Sequence, residues 1–149
     1  MDQRFEHPLA QAMGSLAVST RPRGFHDITQ PLARWLAERG AADGLLTLFI
    51  RHTSASLLIQ ENADPDVQRD LKDALARLAP ASESYRHSLE GSDDMPAHIK
   101  STLTATNLAI PVRDGRLRLG TWQAVYVVEH RDQAHRREIE LHFSGSFEA

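Results

Sequence analysis

The chain contains no cysteine, which excludes disulfides, thiol nucleophiles and thiolate metal sites and leaves His, Asp and Glu as its strong metal ligands. Glycine (8) and proline (7) are both sparse, so neither a low-complexity nor a disordered composition applies. No stretch approaches the roughly 20 apolar residues that span a bilayer. Met1 to Ala10 carries Asp2, Arg4 and Glu6 and has no apolar run of the signal-peptide kind. A soluble cytoplasmic protein without a membrane partner is the expectation. An excess of basic charge is also missing: 17 basic against 20 acidic side chains give a net charge of -3, which removes the broad attraction that nucleic-acid binding requires. Neither GxGxxG nor GxxxxGK[ST] occurs, so NAD, flavin and P-loop nucleotide binding have no support, and haem is not expected.

What remains is a chain of 149 residues with 41% apolar positions, enough for one domain with a real core and too little for two. Eight histidines turn the net charge positive if all are protonated, so behaviour near pH 6 should differ from that near pH 8.

Gln11 to Ser19 alternates loosely and ends in the turn Arg21-Pro22-Arg23-Gly24, predicting a strand. Asp27 or Thr29 can cap a first helix with Leu32, Trp35 and Leu36 on one face and Gly40 at its end. Gly44 to Arg51 is apolar at nearly every position, the pattern of a strand covered on both faces, and Leu57 to Gln60 reads as a second such strand. Asp64-Pro65-Asp66 opens a second helix with Val67, Leu71, Leu75 and Leu78 as its buried stripe. A third helix should open at Asp93-Asp94-Met95-Pro96, with Met95, Ile99 and Leu103 on one face, and residues 81–91 form the loop before it. Asp114-Gly115 marks a hairpin pairing Val112 with Leu117 and Ile110 with Leu119. Two further strands span Ala124 to Arg131 and Arg136 to Phe143, the latter with Ile139, Leu141 and Phe143 inward. The sum is an α+β single domain over residues 1–149, six or seven mostly antiparallel strands with two or three helices, and a loosely ordered segment 1–10.

Polar residues cluster in three segments: HTSASLLIQENADPD from His52, YRHSLEGSDDMPAHIKS from Tyr85, and LGTWQ from Leu119. The first sets His52, Thr53, Ser54 and Ser56 after one strand. It sets Glu61, Asn62 and Asp64 after another, ahead of a helix N-terminus, a layout that suits phosphate or carboxylate. Turn formation, loop polarity and capping by Asp64 are the plainer readings of the same residues. Asp94 and His98, four apart, share one helix face, where the carboxylate can orient the imidazole. Lys100 is a compact ammonium with a tunable pKa in a chain whose other basic residues are nearly all arginine. His87 is ambiguous, and none of His7, His26, His130, His135 or His142 sits in a comparably polar setting. His52, His87 and His98, with Glu61, Asp64 or Asp94, have the chemistry to hold a divalent metal, Mg2+ or Zn2+, with an open position, but their spacing matches no compact motif. A serine nucleophile ranks lower, because no GxSxG elbow is present.

Taken together, HTSAS with QENADPDV, EGSDDMPAHIKS, IPV, and GRLRLGTWQ followed by EHR resemble the YjbQ family, also called the secondary thiamine-phosphate synthase family. GFHDIT before the first helix adds to the likeness, which runs from about Gly24 to Arg137. It departs at TLTATNLAIP, where Ala105 and Thr106 stand in place of a glycine and serines often found in the family. The resemblance implies a β-sandwich-like body assembled as a homotrimer. It also implies low-level thiamine-phosphate synthesis, joining an aminopyrimidine diphosphate to a thiazole phosphate with release of pyrophosphate. On that reading His52, His87, His98 and Lys100 stabilise the departing charge, helped by the hydroxyls of Thr53, Ser54, Ser56 and Ser101. Glu61 and Asp64 orient imidazoles or hold Mg2+, and Asn62, Asp94 and Gln123 complete the substrate contacts beside Trp122. Two other classes stay open: a trimeric metal- or anion-binding protein without turnover, and a metal-assisted hydrolase of phosphorylated small molecules. Arg113, Arg116 and Arg118 read as solvated arginines, not as a nucleic-acid surface.

Overall fold

The computed structural model describes residues 8–149. Eleven elements follow one another: β1 (Ala10–Ser19), β2 (Phe25–Asp27), α1 (Thr29–Glu38), β3 (Ala41–Ile50), β4 (Ala55–Glu61), α2 (Pro65–Leu78), α3 (Asp94–Leu103), β5 (Asn107–Arg113), β6 (Arg116–Leu117), β7 (Gln123–Glu129) and β8 (Arg136–Phe147). They form a five-stranded sheet in the order β1-β8-β3-β5-β6 and a three-stranded sheet in the order β2-β7-β4, with every pairing antiparallel. Most of the expected segment 1–10 lies outside the described residues. Ala10 is already paired with Gly145.

One core fills the space between the sheets. Leu46, Leu48 and Ile50 of β3 and Ile139, Leu141 and Phe143 of β8 meet Leu57 of β4 and Val125 and Val127 of β7, with Leu32 and Leu36 of α1 closing the side. The period of two along each strand makes this possible, since alternate residues point to one face. The opposite face of the small sheet carries Phe25, Ala124, Tyr126 and Val128, against which Leu71 of α2 packs. The small sheet is therefore covered on both sides, and β7 is buried at every position but Gln123.

Local signals explain most boundaries. Asp64 caps α2 by accepting from the Asp66 amide at 2.9 Å, with Pro65 as the first helical residue. Asp27 Oδ1 accepts from the Thr29 amide at 2.9 Å, while the Thr29 hydroxyl accepts from the Val125 amide and so ties α1 to β7. The N-cap of α1 is thus Ile28, not Asp27 or Thr29. Asp114 and Gly115 both adopt positive φ, 51° and 74°, as a two-residue hairpin turn demands.

Four expectations are corrected. β3 is not covered on both faces, because Leu45 and Phe49 point outward from the five-stranded sheet. No residue of α2 is fully buried, and its last stripe position, Leu78, is exposed. Helix α3 turns a largely polar face inward: Asp94, Ala97, Lys100 and Ser101 are buried, whereas Leu103 is exposed. The hairpin ladder ends at Val112 with Leu117, and Ile110 pairs with Leu46 of β3 in place of Leu119.

Candidate functional site

The inward polar face of α3 organises the site. Asp94 lies in its first turn, buried, and gathers three cations or their equivalents. His87 Nε2, from the loop 81–91, lies 2.6 Å from Asp94 Oδ2, and His98 Nε2, one helical turn on, lies 3.0 Å from the same oxygen. Arg131 takes Oδ1 at 2.8 Å. The other face of that guanidinium holds Asp93 at 2.9 Å and the Glu90 carbonyl at 3.0 Å, and the Asp132 amide donates to Asp93. Burial alone would raise both carboxyls. For Asp94 the His87 hydrogen bond, the adjacent His98 ring and the Arg131 guanidinium outweigh it, and for Asp93 the bonds from Arg131 and Asp132 do so. Both are held below the usual carboxylate range.

Two residues beyond His98, Lys100 enters a cavity of about 270 Å3 between α2, α3 and the outer face of the small sheet. Arg23, Lys72, Lys100 and His130 supply its cationic and imidazole groups, Asp73 and the Arg137-paired Glu129 its carboxylates, and Phe25 and Val128 its apolar wall. A smaller cavity of about 60 Å3, lined by Arg23, Lys100, His130, Asp93 and Asp132 among others, adjoins it. Lys72 and Lys100 are the two lysines of the chain. Lys100 is 9% exposed, and among the described residues no carboxylate lies within 4 Å of its ammonium. Burial and the neighbouring Arg23 lower its pKa, with Asp132 and Asp93 pulling weakly the other way. Burial also lowers Lys72, reinforced by Arg21, Arg23 and Arg69. His130 is bound to the Ser56 hydroxyl at 2.8 Å, and burial, with Lys100 and Arg137 nearby, pushes it down to about 4. Its imidazole is neutral at pH 7.

The remaining sequence-selected residues divide by position. His52 stands apart from His87 and His98. Its Nε2 accepts from the Glu138 amide at 2.8 Å and its Nδ1 lies 3.3 Å from Arg137, so it pins the start of β8. Burial and Arg137 keep it below the ordinary histidine value. Thr53 contributes its carbonyl, which accepts from His98 Nδ1 at 2.9 Å. The hydroxyl of Ser54 accepts from Arg137 at 3.0 Å, and that of Ser101 donates to the Ala55 carbonyl at 3.1 Å. Glu61, Asn62, Asp64 and Gln123 sit at the far end of β4 and β7. Glu61 is paired with Gln123 and lies five positions along the strand from Ser56, about 17 Å at 3.3–3.4 Å per residue. There Asp64 is a cap, Gln123 Oε1 accepts from the Gly120 amide at 2.8 Å, and the Asn62 amide donates to the Trp122 carbonyl. Trp122 is exposed and not part of the core. The structure thus unites His87, Asp94 and His98, sets Lys100 nearby on the same helix, and leaves the second half of the QENADPD segment remote within one chain.

Three residues passed over in the sequence, Glu129, His130 and Arg137, are buried at the end of β7 and the start of β8. Arg137 Nε donates to Glu129 Oε1 at 2.9 Å, and the Thr20 hydroxyl donates to the same oxygen at 2.6 Å. Burial would raise Glu129, but Arg137 and Thr20 hold it below the usual range. The strand period held the signal: His130 shares the parity of Tyr126 and Val128, which faces α2 and α3, so its side chain had to enter the cavity.

Comparison with known proteins places this geometry. A family model described as UPF0047 protein YjbQ-like matches residues 14–146. The UPF0047 protein sll1880 of Synechocystis is 50% identical over 131 residues, covering 87% of this chain and 89% of the relative. The UPF0047 protein YjbQ of Escherichia coli O157:H7 is 43% identical over 126 residues, covering 84% and 91%. Among solved structures, a conserved hypothetical protein of Thermus thermophilus aligns with a TM-score of 0.77 at 40% identity, covering 86% of this chain and 97% of that one. A YbjQ-like protein of unknown function from Sulfolobus solfataricus aligns with a TM-score of 0.85 at 24% identity, covering 93% and 100%, a likeness of fold.

Proposed function

Since the chain belongs to the YjbQ-like UPF0047 family, we propose that it is an enzyme acting on phosphorylated small molecules at the Lys100 cleft, with thiamine-phosphate synthesis as the specific reaction. The observation that carries this reading is Lys100 itself: a buried ammonium, without a carboxylate partner among the described residues, opening on a cavity shared with Arg23, Lys72 and His130. A buried charge is costly unless paired. A phosphate or diphosphate group supplies the missing partner and takes charge-assisted hydrogen bonds.

Joining an aminopyrimidine diphosphate to a thiazole phosphate breaks a methylene-to-oxygen bond and leaves its electron pair on pyrophosphate. Lys100, Arg23 and Lys72 meet that growing charge, and they gain strength as it develops, which is the condition for lowering the barrier. His130, neutral and held by Ser56, contributes an oriented dipole. Phe25 and Val128 offer apolar surface for the organic part of the substrate. We place this activity in the cytoplasm, and in a homotrimer whose protomers meet through the outer face of the five-stranded sheet, where Met13, Leu45 and Phe49 are exposed. No helix among the described residues is long and apolar enough to cross a membrane.

Calorimetric titration with pyrophosphate in EDTA-containing buffer tests the cleft. Lys100→Met is expected to weaken binding about 10- to 100-fold, the loss of one hydrogen bond to a charged group, while melting no lower than the wild type because a lone buried ammonium has been removed. Equal affinity in the variant defeats the reading. Mass-spectrometric assay for thiamine phosphate from the two substrates then tests the reaction.

A further inference from the structure

The His87, Asp94 and His98 group has an electrostatic gap that its own hydrogen bonds do not close. A carbonyl only accepts, so the 2.9 Å contact between His98 Nδ1 and the Thr53 oxygen fixes the ring proton on Nδ1. In the neutral ring Nε2 then presents a lone pair, and it faces Asp94 Oδ2 at 3.0 Å, a second bare acceptor. His87 Nε2 approaches that same oxygen at 2.6 Å. His87 can donate its Nε2–H to that oxygen, but the lone pairs of His98 Nε2 and Asp94 Oδ2 repel at 3.0 Å unless a cation joins them. The local charge count points the same way, because Asp93 and Asp94 share the single guanidinium of Arg131 at 2.9 and 2.8 Å and one negative charge is left over.

We propose that His87 Nε2, Asp94 Oδ2 and His98 Nε2 are three ligands of a first-row divalent transition ion of the Zn2+ class, with the remaining position open to solvent. The ligand atoms lie within 4.8 Å of one another, and a tetrahedral shell of roughly 2.0–2.2 Å bonds, which spaces its ligand atoms about 3.4 Å apart, requires the His87 ring to swing outward from its 2.6 Å contact with Asp94. The outer partners are those a metal site uses: His98 donates its other ring N–H to a backbone carbonyl, and Arg131 holds the free oxygen of the ligating carboxylate. Two imidazoles and one carboxylate favour Zn2+ and its first-row neighbours over Mg2+ or Ca2+, which take oxygen donors. Asp94 forms a buried floor, while the His87 side chain is 42% exposed and leaves the mouth open. The third ligand is therefore Asp94, where the sequence pointed to His52. This inference stands apart from the anion reading, since the metal alone tests it.

The full-length protein, stripped with EDTA and then freed of chelator, is titrated calorimetrically with ZnCl2 in phosphate-free buffer. One equivalent per chain is expected. His87→Gln and His98→Gln should each weaken binding by more than the roughly 10- to 100-fold that loss of an outer-shell partner costs, and His142→Gln, on the far face of the five-stranded sheet, should leave it unchanged. Substituted Co2+ should give visible absorption bands that both ligand variants lose. His87 lies in the loop 81–91, outside every helix and strand, so its variant keeps the fold, which circular dichroism verifies. A wild type that takes up no stoichiometric Zn2+ selects a proton on His98 Nε2 as the cation and overturns the proposal. So does unchanged affinity in either ligand variant, or MgCl2 binding as tightly as ZnCl2.

Discussion

Three histidines in this chain are kept neutral by the fold, and their burial couples stability to pH. His26 Nε2 accepts from the Arg21 amide at 3.0 Å and His52 Nε2 from the Glu138 amide at 2.8 Å, so a proton on either nitrogen breaks a backbone bond. Burial lowers both, with Arg21 adding to His26 and Arg137 to His52, and burial takes His130 down to about 4. Each folded value lies below the free-imidazole value near 6.5. Below about pH 6.5 the unfolded chain therefore binds protons that the folded chain refuses at these positions, down to about pH 4 in the case of His130, and stability, complete above pH 6.5, falls as the pH drops. For His130 alone the expected loss between pH 7.5 and 5 is about 2 kcal/mol. Urea unfolding at the two pH values should show that increment in the wild type and its absence in His130→Gln. A variant with the same pH slope as the wild type rules out this assignment.

At the scale of elements, capping and packing separate cleanly. Asp64 serves α2 through its bond to the Asp66 amide, so Asp64→Ala is expected to cost about 0.5–2 kcal/mol of stability and to leave pyrophosphate affinity untouched. Chemical denaturation with parallel calorimetry separates the two, and lost affinity at unchanged stability would place Asp64 in the site instead. The starts of α2 and α3, the Asp114-Gly115 turn and the inward face of β8 were readable because each depends on neighbours a few positions away, while the cap of α1 fell on Ile28, which carries no capping side chain. The orientation of α3 was not. Its apolar residues Met95, Ile99 and Leu103 suggested one buried stripe, but the end of the small sheet offers Arg131, which takes Asp94, and the Ala55 carbonyl, which takes the Ser101 hydroxyl, so the polar face turns inward. Likewise the pairing of Asp94 with His98 follows from helical spacing, whereas the arrival of His87 and Arg131 depends on a loop path and a strand end that no local pattern encodes. His52 misled because its polar setting is used to anchor β8.

For the molecule as a whole, the two sheets have unequal surroundings. The small sheet is covered by the core on one side and by helices on the other, while the large sheet turns Met13, Leu45 and Phe49 outward. Exposed apolar side chains grouped on one sheet face are the kind of surface that proteins bury on association, and the proposed trimer would meet there. Phe49→Asp is expected to shift the light-scattering mass of the protein toward that of a monomer while leaving its circular dichroism unchanged. A trimer that persists in this variant moves the subunit contact to another face. The covered side of the small sheet has a different consequence. Every side-chain amine of the chain borders one cleft, and all other permanently cationic side chains are guanidinium groups. An acylating reagent therefore has few targets beyond that cleft, and whatever occupies it shields them, so occupancy becomes legible as mass.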